Sequence, residues 1–342
     1  MEFDLNDRGL PSSPARRKLL GQGAAFALAT IVPSQQVRCA TRQAWRHGIV
    51  QAKGDSGFFY MAQRQGYMER RGLLVEILEF KGGKDVVRAL LAGELDSADI
   101  EAVETLSAVE KGASLRFVGS SILGFPYALF VRPEITSWQQ LADKRFGISA
   151  PGSTPHVMSL AMLRAKGVSA ARVQFMNAGG SAGRIKALAA GRLDAVAASS
   201  EFIPLAQQLG IKVFIHSRDI VPEFPRFFVV ASAKTLKARP EQTIQFLAGY
   251  LEGLRYCAEH RDATIKLAAE IDGSGDTVRY AYIFDEVTQR KLLSLNMEIP
   301  VDRIRWVHDL MLNLGELSGP LNVNPLVVGQ YREAALKLLQ SA

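Results

Sequence analysis

Across residues 57–100, apolar side chains recur at helical spacing, then as a run of strand length, then at helical spacing again. Phe58, Phe59, Met61 and Ala62 mark a first short helix, and Leu73 to Phe80 form the apolar run. Val86, Val87, Leu90 and Leu91 mark a second helix, after which residues 97–100 begin another strand. Gly66, Gly72 and Gly93 stand where these helices must turn off through a left-handed residue. Strands separated by helices need crossover connections, so the stretch predicts a parallel sheet with helices on its faces.

The phrase ALLAGELD at residues 89–96 is echoed by ALAAGRLD at residues 187–194. In both, an amphipathic helix ends on Gly and Leu-Asp leads into a short strand of small residues, which predicts two similar α/β units. A chain of 342 residues, 48% hydrophobic and 22% charged, is long and apolar enough for two cores. The net charge of +7 is spread thinly, with no basic run longer than three residues, no zinc-ligand spacing and no aromatic RNA-binding strand. Nucleic acid is therefore not an expected partner.

The first 40 residues read as an export segment. Arg16 and Arg17 precede a short, mildly apolar run at residues 21–32 that Pro33 closes, as in twin-arginine signals, although Ala15 stands where Ser or Thr is usual. The run is too short to span a bilayer. The two cysteines, Cys39 and Cys257, exclude a disulfide framework.

Further along, strands are expected at 46–50, 115–121, 127–132, 145–149, 173–175, 195–198, 212–215 and 227–231, with helices between them. Pro133 ends one strand and marks an expected boundary between the units. Thr154, followed by Pro155, is expected to cap a helix running to about Lys166. From Pro240 onward the chain is expected to be mostly helical and to wrap the first unit.

Five phrases carry a family resemblance: GFFYMAQRQGYMERRGLLVEI, GGKDVVRALLAGELDSA, ITSWQQLADKRFGI, APGSTPH and ALAAGRLDA. In order and spacing, over residues 46–232, the chain resembles periplasmic substrate-binding proteins of the nitrate/sulfonate/taurine/thiamine-precursor group that serve ABC importers. The resemblance implies a two-lobed α/β fold of the type II periplasmic-binding-protein kind, with two hinge strands. The expected division is an export signal at 1–40, lobe 1 at 41–133 and 227–342, and lobe 2 at 134–226, with crossings near 133–137 and 217–225. It also implies a periplasmic location, a small-molecule ligand, an ABC permease as partner, a monomer, and no cofactor, metal or catalytic residues.

In such sheets ligands sit beyond the carboxyl ends of the strands, at helix N-termini whose free N–H groups suit an anion. The positions so placed are Ser56, Gly57, Phe58, Phe59, Glu101, Ser153, Thr154, His156, Gly180, Ser181 and Glu201. Each has a plainer reading: Ser153 and Thr154 as caps, Phe58 and Phe59 as core, His156 as a surface residue, Gly180 and Ser181 as a loop. Glu101 and Glu201 suit helix starts in any case, but if both face the cleft they favour a ligand carrying donors or positive charge, such as an aminopyrimidine. A sulfonate or carboxylate is the leading expectation. A sensor for a membrane receptor, or a biosynthetic enzyme on the same fold, is the alternative. For an enzyme, the five histidines are scattered, and no Ser/His/Asp, Cys/His or metal-ligand set can be assembled by spacing.

Overall fold

Residues 44–51 and 56–341 are described by a computed structural model. The expected export segment lies outside them, as do residues 52–55. The first half runs β1 (Trp45–Val50), α1 (Ser56–Arg64), α2 (Tyr67–Arg70), β2 (Val75–Phe80), α3 (Gly83–Ala92), β3 (Ser97–Ile100), α4 (Ala102–Glu110) and β4 (Leu115–Ile122). It continues as β5 (Tyr127–Val131), β6 (Arg145–Ile148), α5 (Thr154–Ala165), β7 (Gln174–Asn177), α6 (Ser181–Ala189), β8 (Ala195–Ser199), α7 (Ile203–Gln208) and β9 (Lys212–His216). After β10 (Phe227–Ser232) come six helices: α8 (Ala233–Ala238), α9 (Pro240–Glu259), α10 (Arg261–Ile271), α11 (Thr277–Gln289), α12 (Val301–Asn313) and α13 (Gln330–Gln340).

These strands make two five-stranded sheets built to one plan. The first has the order β2-β1-β3-β10-β4, the second β7-β6-β8-β5-β9. In each, three neighbouring strands are parallel, joined by right-sized helical crossovers, and one strand runs antiparallel beside the edge. That antiparallel strand is β10 in the first sheet and β5 in the second. Both arrive directly from the other sheet.

The first crossing is earlier than the sequence suggests. Tyr127–Val131 pairs with residues 195–199 and 212–216, so the chain has already entered the second sheet before Pro133. Pro133 does end a strand, because it lacks the N–H that would extend the ladder, but it ends β5 inside the second sheet. The crossing is the short stretch between Ile122 and Tyr127. The chain returns between His216 and Phe227.

The sequence echo is a structural one. The Asp96 carboxylate accepts the backbone N–H of Arg46 at 2.8 Å, and Asp194 accepts that of Arg145 at 2.9 Å. Each arginine then donates from its guanidinium to the carbonyl of the glycine that follows the helix before that aspartate: Arg46 to Gly93 and Arg145 to Gly191. Those glycines have φ of 77° and 69°, the left-handed region that a side chain disfavours. Inside the sheets, Gly48 and Gly147 lie under Leu95 and Leu193, where an added Cβ would meet a leucine Cδ1 at 2.5 and 2.6 Å.

The C-terminal helices cover the first sheet for the most part. Helix α9 packs on α1, α2 and α13, α10 packs on α1, and α12 packs on α4. Helix α11 departs from the expected wrapping, since it also packs on α7 and on the 200–202 turn of the second sheet's unit. Glu286 of α11 accepts from the Arg218 guanidinium at 2.7 Å and from the Ser200 hydroxyl. Among the described residues no helix is long and apolar enough to cross a membrane.

Candidate functional site

A cavity of about 400 Å³ lies between the two sheets, beyond the carboxyl ends of their parallel strands. One wall is built by the loops after β1 and β2 and by the first turns of α3 and α4, contributing Gln51, Lys81, Lys84, Glu101 and Glu104. The other is built by the loops after β6 and β7 and the first turns of α5 and α6, contributing Ser149, Ser153, Thr154, Gly180, Ser181 and Arg184, with Tyr127 from β5.

Arg184 dominates the second wall. It lies one turn into α6 on the same stripe as Ser181 and Leu188, and only 1% of it is exposed. Its Nε donates to the Ala197 carbonyl at 2.9 Å, and its terminal nitrogens donate to Ser149 Oγ at 2.6 Å, Ser181 Oγ at 3.1 Å and the Gly179 carbonyl. Tyr127 also hydrogen-bonds to it. All of these partners are neutral. Burial pushes the guanidinium pKa downward and the nearby Arg226 pushes it the same way, while Tyr127 opposes them. A positive charge held at the cavity with neutral partners favours an incoming anion.

On the first wall, Glu101 is buried and accepts from Arg226 at 2.6 Å. Glu104 reaches across the cavity to α5. Its Oε1 accepts the Thr154 backbone N–H at 2.9 Å and its Oε2 accepts the Thr154 hydroxyl at 2.7 Å. Lys84 spans the same gap and donates to the Pro151 carbonyl at 2.5 Å. Gln51, whose φ of 58° is unusual for a side-chain-bearing residue, lies against Gly180, where an added Cβ would sit 2.2 Å from its Oε1.

Of the positions chosen from sequence, Glu101, Ser153, Thr154, Gly180 and Ser181 come together at this cavity. Ser153, not Thr154, occupies the cap position of α5. Its hydroxyl donates to the Ala150 carbonyl at 2.7 Å instead of capping the helix. Ser181 Oγ, besides receiving from Arg184, accepts the Ser199 N–H at 3.2 Å.

Gly57, Phe58, Phe59, His156 and Glu201 lie elsewhere. Phe58 and Phe59, each 1% exposed, belong to the core under the first sheet: Phe58 stacks on Phe284 at 5.8 Å and Phe59 on His47 at 4.3 Å. Both fall on the inner stripe of α1, where burial of a large ring outweighs any role at the loop. Gly57 is set by packing, since a Cβ there would lie 2.9 Å from Ala268. Ser56 is the first residue of α1.

His156 faces a second cavity of about 710 Å³ on the far side of Glu104. Its Nδ1 accepts the Gly152 N–H at 3.0 Å. Burial, and secondarily Lys84, lowers its pKa, so the ring is neutral and the 3.5 Å approach of Glu316 to the same nitrogen is not an ion pair. Glu201 is buried beside a smaller cavity that it shares with Gln51, Ser181 and Arg279. Glu101 and Glu201 therefore do not converge on one cationic group.

The residues missed from sequence include Arg184, Glu104, Gln51 and Tyr127, with Lys81, Lys84 and Ser149. A signal existed for the first: Arg184 is a charged residue on the apolar stripe of its helix, beside Ala187 and Leu188, where a surface charge does not belong. Glu104 lies across α4 from Val103 and Leu106, on the side of Ser107 and Lys111, and gives no such signal. Among the described residues no group of three or more His, Cys, Asp or Glu side chains could hold a metal ion.

Two sheets of this order with a ligand-sized cavity between them define the periplasmic binding protein fold. Similar structures include the alkanesulfonate-binding protein SsuA of Xanthomonas axonopodis pv. citri (20% identity, TM-score 0.70, 84% of this chain and 98% of that one). Another is the periplasmic nitrate-binding protein NrtA of Synechocystis PCC 6803 (13%, 0.73, 87% and 89%). A third is a Candida albicans protein described as having the generic periplasmic binding protein fold (19%, 0.67, 87% and 95%). At these identities the likeness is one of fold. The chain belongs to the NMT1/THI5-like family, whose model matches residues 53–264. Sequence comparison with curated proteins gives no match.

Proposed function

We propose that this chain is the solute-binding component of an ABC importer, capturing a small organic anion between two lobes and presenting it to a membrane permease without chemistry of its own. The two lobes are taken as residues 44–122 with 227–341, and residues 127–216. The observation that carries the reading is Arg184, a buried guanidinium with neutral partners at the cavity, beside the N-terminus of α6. The volume of about 400 Å³ suits a small ligand. Two structural relatives bind anions: the Xanthomonas protein is seen with the sulfonate MOPS, and the Synechocystis protein is a nitrate-binding protein. An aminopyrimidine is the weaker reading, because the Glu101 carboxylate that would receive it is engaged by Arg226.

Native mass spectrometry of the purified protein identifies any molecule it carries. Calorimetric titration of that molecule, and of MOPS and nitrate, into wild type and Arg184→Lys then tests the anchor. Lysine keeps a charge but cannot make the bonds that hold the guanidinium, and with it the Ser149 and Ser181 hydroxyls, in place at the cavity, so affinity should fall at least about tenfold, the equivalent of about 1.4 kcal/mol. Ser181→Ala, which removes one neutral partner and leaves the guanidinium, should cost less. Undiminished affinity in folded Arg184→Lys removes the anion site.

For delivery to a permease the chain must leave the cytoplasm, which is the role proposed for residues 1–40. Arg16→Lys with Arg17→Lys should leave precursor in the cytoplasm. An unchanged exported fraction would exclude the twin-arginine route.

A further inference from the structure

The N-terminus of α5 offers the free N–H groups that bind anions in this type of fold, yet in this protein a side chain already holds it. Glu104, in the first turn of α4, makes both bonds that a ligand carboxylate or sulfonate would make there: one to the Thr154 N–H at 2.9 Å and one to the Thr154 hydroxyl at 2.7 Å. We propose that Glu104 decides where a ligand's anionic group sits: it fills the α5 site itself, latches the two units together without ligand, and so directs that group to Arg184.

Three further observations support this. Glu104 and Thr154 are 6% and 1% exposed, so their bonds are made away from water and are not a surface contact. Glu104 is held from the other side by Gly83, where any Cβ would lie 2.9 Å from its Cγ and 3.0 Å from its Cδ. A side chain at that position would push the carboxylate off Thr154. Lys84, next to Gly83, makes a second bridge across the same gap to Pro151. Glu104 also lines both the inner cavity and the larger outer one, so it is the partition between them.

A ligand-free chain with this latch is biased toward closure before any ligand arrives, which raises apparent affinity by the fraction already competent. The exclusion half of the proposal rests on the solute-binding reading above. The latch half does not, and the two are tested separately.

Small-angle scattering of the ligand-free full chain reads the latch. Glu104→Ala should increase the radius of gyration, Thr154→Val should increase it less because the backbone N–H remains, and Glu104→Gln, whose amide oxygen still accepts, should stay near wild type. Circular dichroism and a cooperative melt establish which variants fold, and Thr154→Val decides the matter if Glu104→Ala does not. Folded variants that all scatter as wild type overturn the latch. Crystals grown in inorganic sulfate read the exclusion. Sulfate should bind at the Thr154 N–H in Glu104→Ala and be absent there in wild type. Sulfate at Thr154 in wild type, or at Thr154 in neither, overturns it, whatever the scattering shows.

Discussion

Arg226 and Glu101 form a buried ion pair, 2.6 Å from nitrogen to oxygen, at the point where the returning chain meets the end of β3. The guanidinium is 3.9 Å from the centroid of the Phe227 ring and 4.9 Å from that of Phe125. The pair thus ties the second crossing to the cavity wall. It also keeps a carboxylate at the cavity from facing the ligand uncompensated.

Removing one member should cost far more than removing both. Arg226→Met leaves the Glu101 carboxylate buried without its partner, and breaking a buried pair this way costs roughly 3–5 kcal/mol. Combining it with Glu101→Gln should restore much of the loss, because no isolated charge remains. Urea denaturation of the three variants measures this, and equal loss in single and double variants would show that the pair does not act as a unit.

Asp194 gives a pH signature of the second unit. Its hydrogen bond from Arg145 holds its pKa down to about 2, against the opposing effect of burial. A carboxylate depressed in the folded state binds fewer protons there than in the unfolded chain. Its contribution is therefore present above the ordinary carboxylate range and is lost as pH falls toward about 2. Melting temperatures between pH 5 and 2 should fall less steeply in Asp194→Asn than in wild type.

Glu104 should act in the opposite sense. Burial, and then the charge of Glu101, raise its pKa to about 7 despite the bonds from Thr154. The folded protein then holds a proton that the unfolded chain has released, so stability falls as pH rises from the ordinary carboxylate range to about 7. Glu104→Gln should flatten the melting temperature between pH 5 and 8. An identical slope in the variant would assign the dependence to other groups.

The paired glycines test the internal repeat. Gly48→Ala and Gly147→Ala each drive a methyl into a buried leucine, and Gly147→Ala also approaches Val196 Cγ1 at 2.9 Å. Each should destabilise by about 1–3 kcal/mol, the usual cost of overpacking. Leu95→Ala in Gly48→Ala, and Leu193→Ala in Gly147→Ala, should show positive coupling in a double-mutant cycle.

What the sequence alone determines is the local chemistry of each half. Helix and strand periods, the Gly that ends each helix and the Leu-Asp that follows depend on residues a few positions apart, so one phrase yields one structure twice. The aspartate of each repeat is legible in this way, but its pairing with Arg46 or Arg145 is made by the sheets. The helix starts near the cavity were legible for the same reason, because capping and strand ends are local signals. The tertiary structure alone decides which sheet owns a crossing strand and what those helix starts face. Residues 127–131 have the same apolar pattern in either sheet, and only pairing with β8 and β9 places them. Phe58 and Phe59 were drawn to the cavity by their position in sequence and to the core by packing on helices that lie some two hundred residues later. Glu104 and Arg184 acquire their roles from partners on other elements, across the cleft for Glu104 and around the cavity for Arg184. The charge of Arg184 on an apolar stripe signals that partners must exist, but their identity depends on how its own unit folds, and that of Glu104's partner on how the two units meet.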